Sequence, residues 1–283
     1  MPDQPLPILQ FEDVSLQYGE IWALRDVSFS LMPGETRVIL GEAGSGKTTL
    51  IKAVIGLVRV DKGTIKLFDN PVTSLGESEL FALRSKAGIV LQEGGLFDSL
   101  SIGENVEYPL LNQQTGENKR KKGPSRSGSF GDRAREALRF VELEHTFDKF
   151  PSEVSGGMRR RVGIARAIVT EPPLVLYDSP TAGLDPITAN TIMALIAKER
   201  DTRKTAALIV THRYQDGELM ANFRYDAAKE ELVELSDEEQ ENPQHIQTKF
   251  MVMKEGAIVF FGTRQELESS GDEYVKRFVR HEA

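Results

Sequence analysis

The stretch that decides the fold lies early in the chain and consists of Gly41-Glu42-Ala43-Gly44-Ser45-Gly46-Lys47-Thr48, followed by Thr49. It matches G-x-x-x-x-G-K-[ST], the pattern of a loop that binds phosphate. The apolar run before it, residues 37–40, predicts a buried strand, and the run after it, residues 50–55, predicts a helix. A helix start offers unpaired N–H groups and the positive end of its dipole to an anion. This strand–loop–helix context predicts a phosphate site.

Each residue type in the loop has a chemical role in such a site. The glycines let the backbone curl around an anion without Cβ clashes. Lys47 can reach the β- and γ-phosphates of a nucleotide, and the Thr48 hydroxyl can ligate Mg²⁺. Downstream, residues 174–177 predict a second buried strand, which ends in the carboxylate of Asp178. We expect Asp178 to hold Mg²⁺ through water, opposite Thr48.

The composition is that of a soluble globular protein, with 283 residues, 28% charged and 40% hydrophobic. The absence of cysteine excludes disulfides, thiolate metal sites and cysteine nucleophiles, and is compatible with the cytoplasm. The net charge of −8 argues against bulk binding of nucleic acid. No apolar run approaches the ~20 residues that span a bilayer, and the first residues lack the features of a signal peptide.

Hydrophobic periodicity divides the chain into strands and helices. Period-2 segments between residues 8 and 31 are broken by Gly19-Glu20 and followed by Pro33-Gly34, which predicts antiparallel strands. Further strands are predicted at 63–68, 87–92, 174–177 and 206–210. Helices are predicted at 77–84, 133–143, 156–169 and 186–200. Apolar runs that alternate with helices favour a mostly parallel sheet.

Two polar segments interrupt this pattern. Residues 112–132 contain the basic run 119–122 and predict a flexible surface loop. The alternative is a basic patch that meets anionic lipid head groups. Residues 226–248 are rich in glutamate and predict a solvated acidic excursion.

Between the loop and Asp178 the chain contains Val154-Ser155-Gly156-Gly157-Met158. In isolation these residues suit a serine N-cap before an ordinary helix. They also resemble the L-S-G-G-Q signature of ABC-type ATPases, with Val154 for leucine and Met158 for glutamine. The helix start would offer N–H groups to a phosphate, which in this family belongs to a nucleotide on the other subunit. The resemblance implies that the signature acts in trans, through Ser155, Gly156, Gly157 and Met158.

The neighbouring motifs occur in the order in which ABC-type ATPases have them, and this order decides between the two interpretations. Tyr18 matches the aromatic residue that stacks on adenine, although it also suits a strand core. Gln92 matches the glutamine that bridges Mg²⁺ and the region contacting the transport partner. Asp185 belongs to a segment that resembles the D-loop, which passes between subunits. His212 matches the switch histidine that contacts the γ-phosphate.

The resemblance thus implies ATP and Mg²⁺ as cofactors. The metal ligands that it implies are Thr48, Gln92 and Asp178. The ATP-binding residues that it implies are Tyr18, Gly41, Glu42, Ala43, Gly44, Ser45, Gly46, Lys47, Thr48 and Thr49.

One position departs from the family pattern. The family follows the magnesium aspartate with a glutamate that polarises the attacking water, whereas this chain has Ser179. Loss of a general base costs about 10²–10⁴ in rate, or ~3–5 kcal/mol of barrier. Either hydrolysis is slow, or another group substitutes, and His212, Glu42 and Glu93 are candidates. ATP binding and dimer closure need none of them, so an ATP-gated switch with little turnover is the alternative function.

The expected fold class is α/β, a P-loop NTPase of ABC type with a RecA-like core and an N-terminal antiparallel β-subdomain. A helical subdomain over about 85–165 is inserted in this core, the ATP-binding domain covers 6–270, and 271–283 form a helical tail.

The chain has one phosphate loop, which implies a homodimer or heterodimer of ATPase subunits with separate transmembrane permease subunits. Residues 94–100, the arginines after Met158 and residues 272–279 resemble the ATPases of Mla/MCE-type lipid transporters. This resemblance implies lipid transport and a lipid-binding partner protein, at the cytoplasmic face of the cell membrane, while the acidic charge and the single nucleotide domain argue against a nucleic-acid partner. The alternative is an importer ATPase for another substrate.

Overall fold

A computed structural model of the chain describes residues 6–92, 94–115, 129–236, 239 and 248–280. The strands are β1 (Leu9–Tyr18), β2 (Ile21–Leu31), β3 (Thr36–Leu40), β4 (Lys62–Leu67), β5 (Asn70–Pro71), β6 (Ala87–Val90), β7 (Leu174–Asp178), β8 (Ala206–Thr211), β9 (Phe223–Asp226), β10 (Glu231–Glu234), β11 (Thr248–Lys254) and β12 (Ala257–Gly262). The helices are α1 (Lys47–Val54), α2 (Glu77–Arg84), α3 (Ile102–Thr115), α4 (Phe130–Phe140), α5 (Gly156–Ile168), α6 (Pro186–Arg203), α7 (Tyr214–Asn222), α8 (Arg264–Glu268) and α9 (Glu273–Arg280).

The strand before the phosphate loop lies inside the central sheet, whose order is β12-β11-β3-β8-β7-β6. Strands β11, β3, β8, β7 and β6 pair in parallel, and β12 is antiparallel to β11. Every residue of β3, β7 and β8 is buried, because helices and a second sheet cover both faces. The predicted parallel sheet is confirmed.

The central sheet separates two hydrophobic cores. Successive side chains of a strand point to opposite faces, so Val38 and Leu40 join one core and Ile39 joins the other. The first core also contains apolar residues of α3, α4, α5 and α6. The second contains α1 and the N-terminal strands. The loop that follows β3 is therefore supported from both sides.

The N-terminal strands form the predicted antiparallel sheet, in the order β2-β1-β4-β5. The register of β1 and β2 runs from Leu9 opposite Leu31 to Tyr18 opposite Ile21. Tyr18 and Ile21 thus flank a tight turn at the end of this hairpin, and Gly19 in that turn has a φ of 62°.

Some predicted boundaries differ from the structure. Strand β6 belongs to the central sheet, so the helical part begins after it rather than at about 85. Helix α5 continues to Ile168, beyond the expected limit of about 165.

The two polar segments also need correction. Helix α3 reaches Thr115, and α4 begins at Phe130 after the N-cap Ser129, so both ends of the loop expected over 112–132 are helical. The basic run 119–122 lies outside the described residues. Strand β10 lies within the expected acidic excursion and forms an antiparallel hairpin with β9, most of which precedes this excursion.

The expected tail contains helix α9, whose Val275 is buried in the first core. In the described ranges, no helix combines the length and the apolar character needed to cross a bilayer.

Candidate nucleotide-binding site

A cleft of about 460 Å³ opens beside the phosphate loop, where β3 ends. Distant parts of the chain meet there: the β1–β2 hairpin, the phosphate loop, the ends of β6 and β7, and the residue after β8. The lining residues are Tyr18, Ile21, Trp22, Ala23, Ala43, Gly44, Ser45, Gly46, Lys47, Thr48, Thr49, Gln92, Ser179, Ala182 and His212.

The phosphate loop curls tightly before α1 begins at Lys47. Gly44 and Gly46 have φ values of 80° and 105°, in the left-handed region that favours glycine. A Cβ on Gly46 would lie 2.2 Å from the carbonyl oxygen of Ala23, so only glycine fits against β2. Among the described residues, no side chain caps α1, which leaves its first N–H groups available to an anion.

The ammonium of Lys47 is buried within the loop. Its Nζ donates to the carbonyl oxygens of Gly41 at 2.6 Å and Glu42 at 2.8 Å, and to Ser45 Oγ at 3.3 Å. Burial lowers the pKa of Lys47 below its usual value, and the charges of Asp178 and Glu42 oppose this shift. A phosphate would give this partly desolvated cation a full negative charge as its partner.

A hydroxyl and a carboxylate meet where a magnesium ion is expected. Thr48 Oγ1 donates to Asp178 Oδ1 at 3.3 Å, and Ser179 Oγ donates to the same oxygen at 3.3 Å. Mg²⁺ prefers such oxygen ligands, so the residues present fit the ion. Gln92 is exposed and lines the same cleft. The roles of Thr48, Gln92 and Asp178 as metal ligands remain predictions.

The hairpin forms the opposite wall of the cleft. Tyr18 is 53% exposed, so it lies outside the strand core that was its alternative interpretation, and a base could stack on its ring. Sequence reasoning missed Ile21, Trp22 and Ala23, which continue this wall from β2. The signal that could have found them is the hairpin register, because it places Ile21 directly opposite Tyr18.

Two of the predicted ATP-binding residues are not in the lining of this cleft, although their carbonyl oxygens accept from Lys47 Nζ, and their role stays a prediction. Gly41 and Glu42 line a neighbouring cleft of about 510 Å³ with His212 and with Arg277 of α9. The Glu42 carboxylate is 59% exposed and lies 3.8 Å from the Arg277 guanidinium. The hydrogen bond between Glu42 and Lys47 is made by the backbone carbonyl oxygen of Glu42. Glu93 lies outside the described residues.

Position 179 has an unusual backbone. Ser179 has a φ of 49°, in the left-handed region, and its N–H donates to the carbonyl oxygen of Val210 at 2.8 Å. Its side chain lines the cleft together with the exposed His212. Among the described lining residues, His212 is the side chain of the type that most often acts as a general base.

The predicted signature lies outside this cleft. Ser155 is exposed, and its Oγ caps α5 by accepting from the Met158 N–H at 3.2 Å. A Cβ on Gly157 would lie 2.8 Å from Thr188 Cγ2, so the glycine lets α5 pack against α6. Asp185 is also exposed and caps α6 through the Thr188 N–H at 3.0 Å. Among the described residues, the cleft lining includes neither Ser155 to Met158 nor Asp185.

Comparison with known proteins assigns the family. The family model described as "ABC transporter" matches residues 24–182, which include the phosphate loop, the signature and Asp178. The chain belongs to the ABC transporter family. As an ABC ATPase, it is a P-loop NTPase whose cofactors are ATP and Mg²⁺.

Several ABC proteins are similar in sequence over most of the chain. One is the "Methionine import ATP-binding protein MetN 2" of Bacillus anthracis, which is 35% identical over 209 residues. Another is the "Probable ribonucleotide transport ATP-binding protein mkl" of Mycobacterium leprae (strain TN), which is 32% identical over 204 residues. Both alignments cover 72% of this chain, but 59% and 56% of those proteins, so the chain spans just over half of their length.

Solved ABC structures share the fold. The ADP- and Pi-bound dimer of the ATP-binding cassette MJ0796 aligns with a TM-score of 0.71 at 26% identity, over 90% of this chain and 98% of that one. CbiO1 of Clostridium perfringens, part of the ABC transporter complex CbiONQ, aligns with a TM-score of 0.72 at 26% identity. That alignment covers 96% of this chain and 94% of CbiO1.

Proposed function

We propose that this chain is the cytoplasmic ATP-binding subunit of a lipid transporter and that it closes as a dimer around Mg-ATP to drive a separate membrane permease. In this function Lys47, Thr48 and Asp178 hold the phosphates and Mg²⁺, and Tyr18 stacks on adenine. Gln92 would bridge Mg²⁺ and the region that contacts the transport partner, and His212 would contact the γ-phosphate. The proposed domain limits are those expected from the sequence, 6–270.

The observation that carries the dimer is the separation of the two halves of the site. The described lining of the cleft contains the phosphate loop, whereas the exposed start of α5 lies outside it. Ser155 and the N–H groups beside it are therefore not part of the described lining of the cleft that contains Lys47 of the same chain. A second copy of the subunit, or a related one, would bring a signature to this cleft.

We expect Ser155→Arg to abolish ATP-promoted dimerisation. The added side chain places bulk and charge at the surface that would meet the partner's nucleotide, while the cleft of the same chain keeps its lining. The measurement is light scattering of the purified protein with and without Mg-ATP. Wild type should roughly double in mass and the variant should not.

Ser155→Thr is the matched control. Threonine keeps both the hydroxyl and the N-cap of α5, whereas the loss of a cap alone costs about 1 kcal/mol. The control should dimerise like wild type. A wild type that stays monomeric with Mg-ATP, alone and in its transporter, would contradict the proposal.

The permease contact is proposed for the segment that follows Gln92. Leu91, Phe97 and Tyr108 expose 47%, 42% and 41% of their surface in this region, and the rings of Phe97 and Tyr108 pack 4.8 Å apart. An exposed apolar group of this kind favours a protein partner.

Helix α5 also contacts this segment directly. Arg166 donates to the carbonyl oxygens of Gly94 and Gly95, each at 2.8 Å. Gly163 packs on the backbone of Gly94, where an added Cβ would lie 3.1 Å from its Cα. Closure at the signature can therefore be transmitted along α5 to the permease contact.

Lipid as the substrate class rests on the resemblance of residues 94–100, 158–161 and 272–279 to Mla/MCE-type ATPases. The names of two relatives mention methionine and ribonucleotides, which are alternative substrate classes. The names alone do not decide, because related ATPases serve permeases of different specificity.

Purification of the native complex through a tag on this chain tests the substrate class. We expect a membrane permease and a lipid-binding partner to copurify, and phospholipid transfer between vesicles to require Mg-ATP. Lys47→Ala in the same complex is the control that removes ATP binding. Copurification with an amino-acid- or nucleotide-binding protein, without lipid transfer, would contradict lipid transport and leave the ATP-binding function intact.

Ser179 favours a second candidate function, an ATP-gated switch with little turnover. Serine lacks the carboxylate that would polarise water, yet it leaves the phosphate loop and the signature unchanged. The switch would close on ATP and open when the nucleotide leaves. Steady-state phosphate release by the intact complex separates the two functions, because the switch releases almost none.

A further inference from the structure

One arginine of α5 holds the backbone around position 179. The Nη1 of Arg160 donates to the carbonyl oxygens of Ser179 at 3.2 Å and Pro180 at 3.0 Å. Its Nη2 donates to the carbonyl oxygen of Ala182. Arginine suits this task, because its planar fork carries several N–H donors in fixed directions. A single side chain thus binds most of the short segment 179–182.

The segment needs support because its backbone is strained. Ser179 combines a left-handed φ of 49° with the position before Pro180, where steric clashes restrict the backbone further. Such a conformation persists only where the surroundings determine it. The Ser179 N–H is held by Val210 of β8, and its carbonyl oxygen is held by Arg160. Loss of Arg160 would leave the carbonyl side of this residue without that support.

The other side of the segment is fixed to β8 and α7. Asp216 is 1% exposed, and its Oδ2 accepts from Thr181 Oγ1 and Thr211 Oγ1, each at 2.6 Å. Thr211 directly precedes His212, and its Oγ1 also accepts from the Arg213 N–H at 3.1 Å. This buried anchor holds the segment next to the loop of His212. Movement of α5 relative to the central sheet can therefore act on the segment through the hydrogen bonds of Arg160.

We propose that Arg160 is a positioning residue that relays closure at the signature to position 179 of the same chain. This inference rests on the proposed function, in which Ser155 meets the nucleotide of the partner subunit. Arg160 follows Ser155 on α5, so a shift of this helix on closure reaches segment 179–182 through the hydrogen bonds of one side chain. Nucleotide binding at one site of the dimer thereby determines the backbone conformation of segment 179–182 at the other site.

The test is hydrogen exchange of a peptide that covers residues 179–185, in the full chain with and without Mg-ATP. Arg160→Met removes the donors and keeps an extended side chain. Without nucleotide, this peptide should exchange at least about tenfold faster than in wild type, because the Ala182 N–H donates to the Ser179 carbonyl oxygen within the freed turn. With Mg-ATP the variant should still dimerise, but its peptide should not gain the protection seen in wild type.

A second readout separates positioning from general destabilisation. Arg160→Met should lower kcat while nucleotide affinity stays within about twofold, and Arg160→Lys should recover part of both the exchange protection and kcat. Arg161→Met is the matched control, because it makes the same charge change on the same helix but its side chain donates to the Val141 carbonyl oxygen at 3.3 Å. The control should keep the wild-type exchange of residues 179–185.

Two results would overturn the inference. One is wild-type exchange of this peptide in Arg160→Met, and the other is an equal effect of Arg160→Met and Arg161→Met. Failure of the proposed function looks different, because wild type would then form no ATP-dependent dimer in light scattering. Without such a dimer, the relay between the two sites is refuted. Hydrogen exchange measured without nucleotide would then still show whether Arg160 holds segment 179–182.

Discussion

Replacement of Lys47 with alanine is expected to abolish tight binding of Mg-ATP. The lysine is a buried cation whose present partners are oxygen atoms of its own loop. In the alanine variant, the β- and γ-phosphates of ATP would lose their closest positive charge. Bound ATP stabilises the folded state by RT ln(1 + [L]/Kd), about 2.7 kcal/mol at a hundredfold excess over Kd. Thermal-shift titration should show this stabilisation in wild type and none in Lys47→Ala.

The single tryptophan gives an independent measurement of the same prediction. Trp22 lines the cleft, so its fluorescence should change with Mg-ATP in wild type and stay constant in Lys47→Ala. Lys52→Ala is the matched control, because Lys52 lies one turn further along α1 and is exposed. If wild type shows no response to nucleotide in either assay, the cleft does not bind ATP.

Ser179→Glu is expected to raise ATP turnover by at least about tenfold, the low side of the contribution of a general base. The new carboxylate would extend from a position that already lines the cleft, between Asp178 and His212, and could polarise the attacking water. Serine and glutamate both carry a Cβ, so the left-handed backbone adds no new strain. Nucleotide affinity should change little, and the ATP-closed dimer should open sooner, because hydrolysis opens it.

Ser179→Gln is the control for shape, because glutamine has the size of glutamate without its charge. It should leave turnover at the wild-type level. Single-turnover hydrolysis of wild type, Ser179→Glu, Ser179→Gln and His212→Ala identifies the base. A brisk wild-type rate that Ser179→Glu leaves unchanged and His212→Ala removes would assign the base to His212 and contradict this prediction.

Short-range patterns predicted the central fold well. The strand–loop–helix around Lys47 and the buried strands that end at Asp178 and Thr211 have strong local signals, since fully apolar strands and glycine-rich turns leave few alternatives. Helix α3 was missed because Pro109 and several polar residues interrupt its apolar pattern. Strand β11 was missed because the sequence before it is strongly polar, although Met251 and Val252 are fully buried.

The site shows the same division between local and distant signals. Lys47, Thr48 and Asp178 could be brought together from motifs, because the carboxyl ends of the parallel strands of one sheet lie at the same edge. The wall formed by Ile21, Trp22 and Ala23 depends on the packing of the hairpin against the loop, which no motif encodes. The same limit applies to the surroundings of the Glu42 carboxylate, which lies 3.8 Å from the Arg277 guanidinium, a residue far away in sequence.

The position of β3 in the central sheet has a consequence for biosynthesis. Its neighbours are β8 and β11, so residues 36–40 leave the ribosome long before residues 206–211 and 248–254 can pair with them. Parallel pairing over such separations is slow to form, because the intervening chain must first close into a loop. Until then both edges of β3 have unpaired backbone N–H and C=O groups, to which incorrect strands can pair and chaperones can bind. A nascent chain of this protein therefore completes the frame of its nucleotide site late, after most of its other local structure can form.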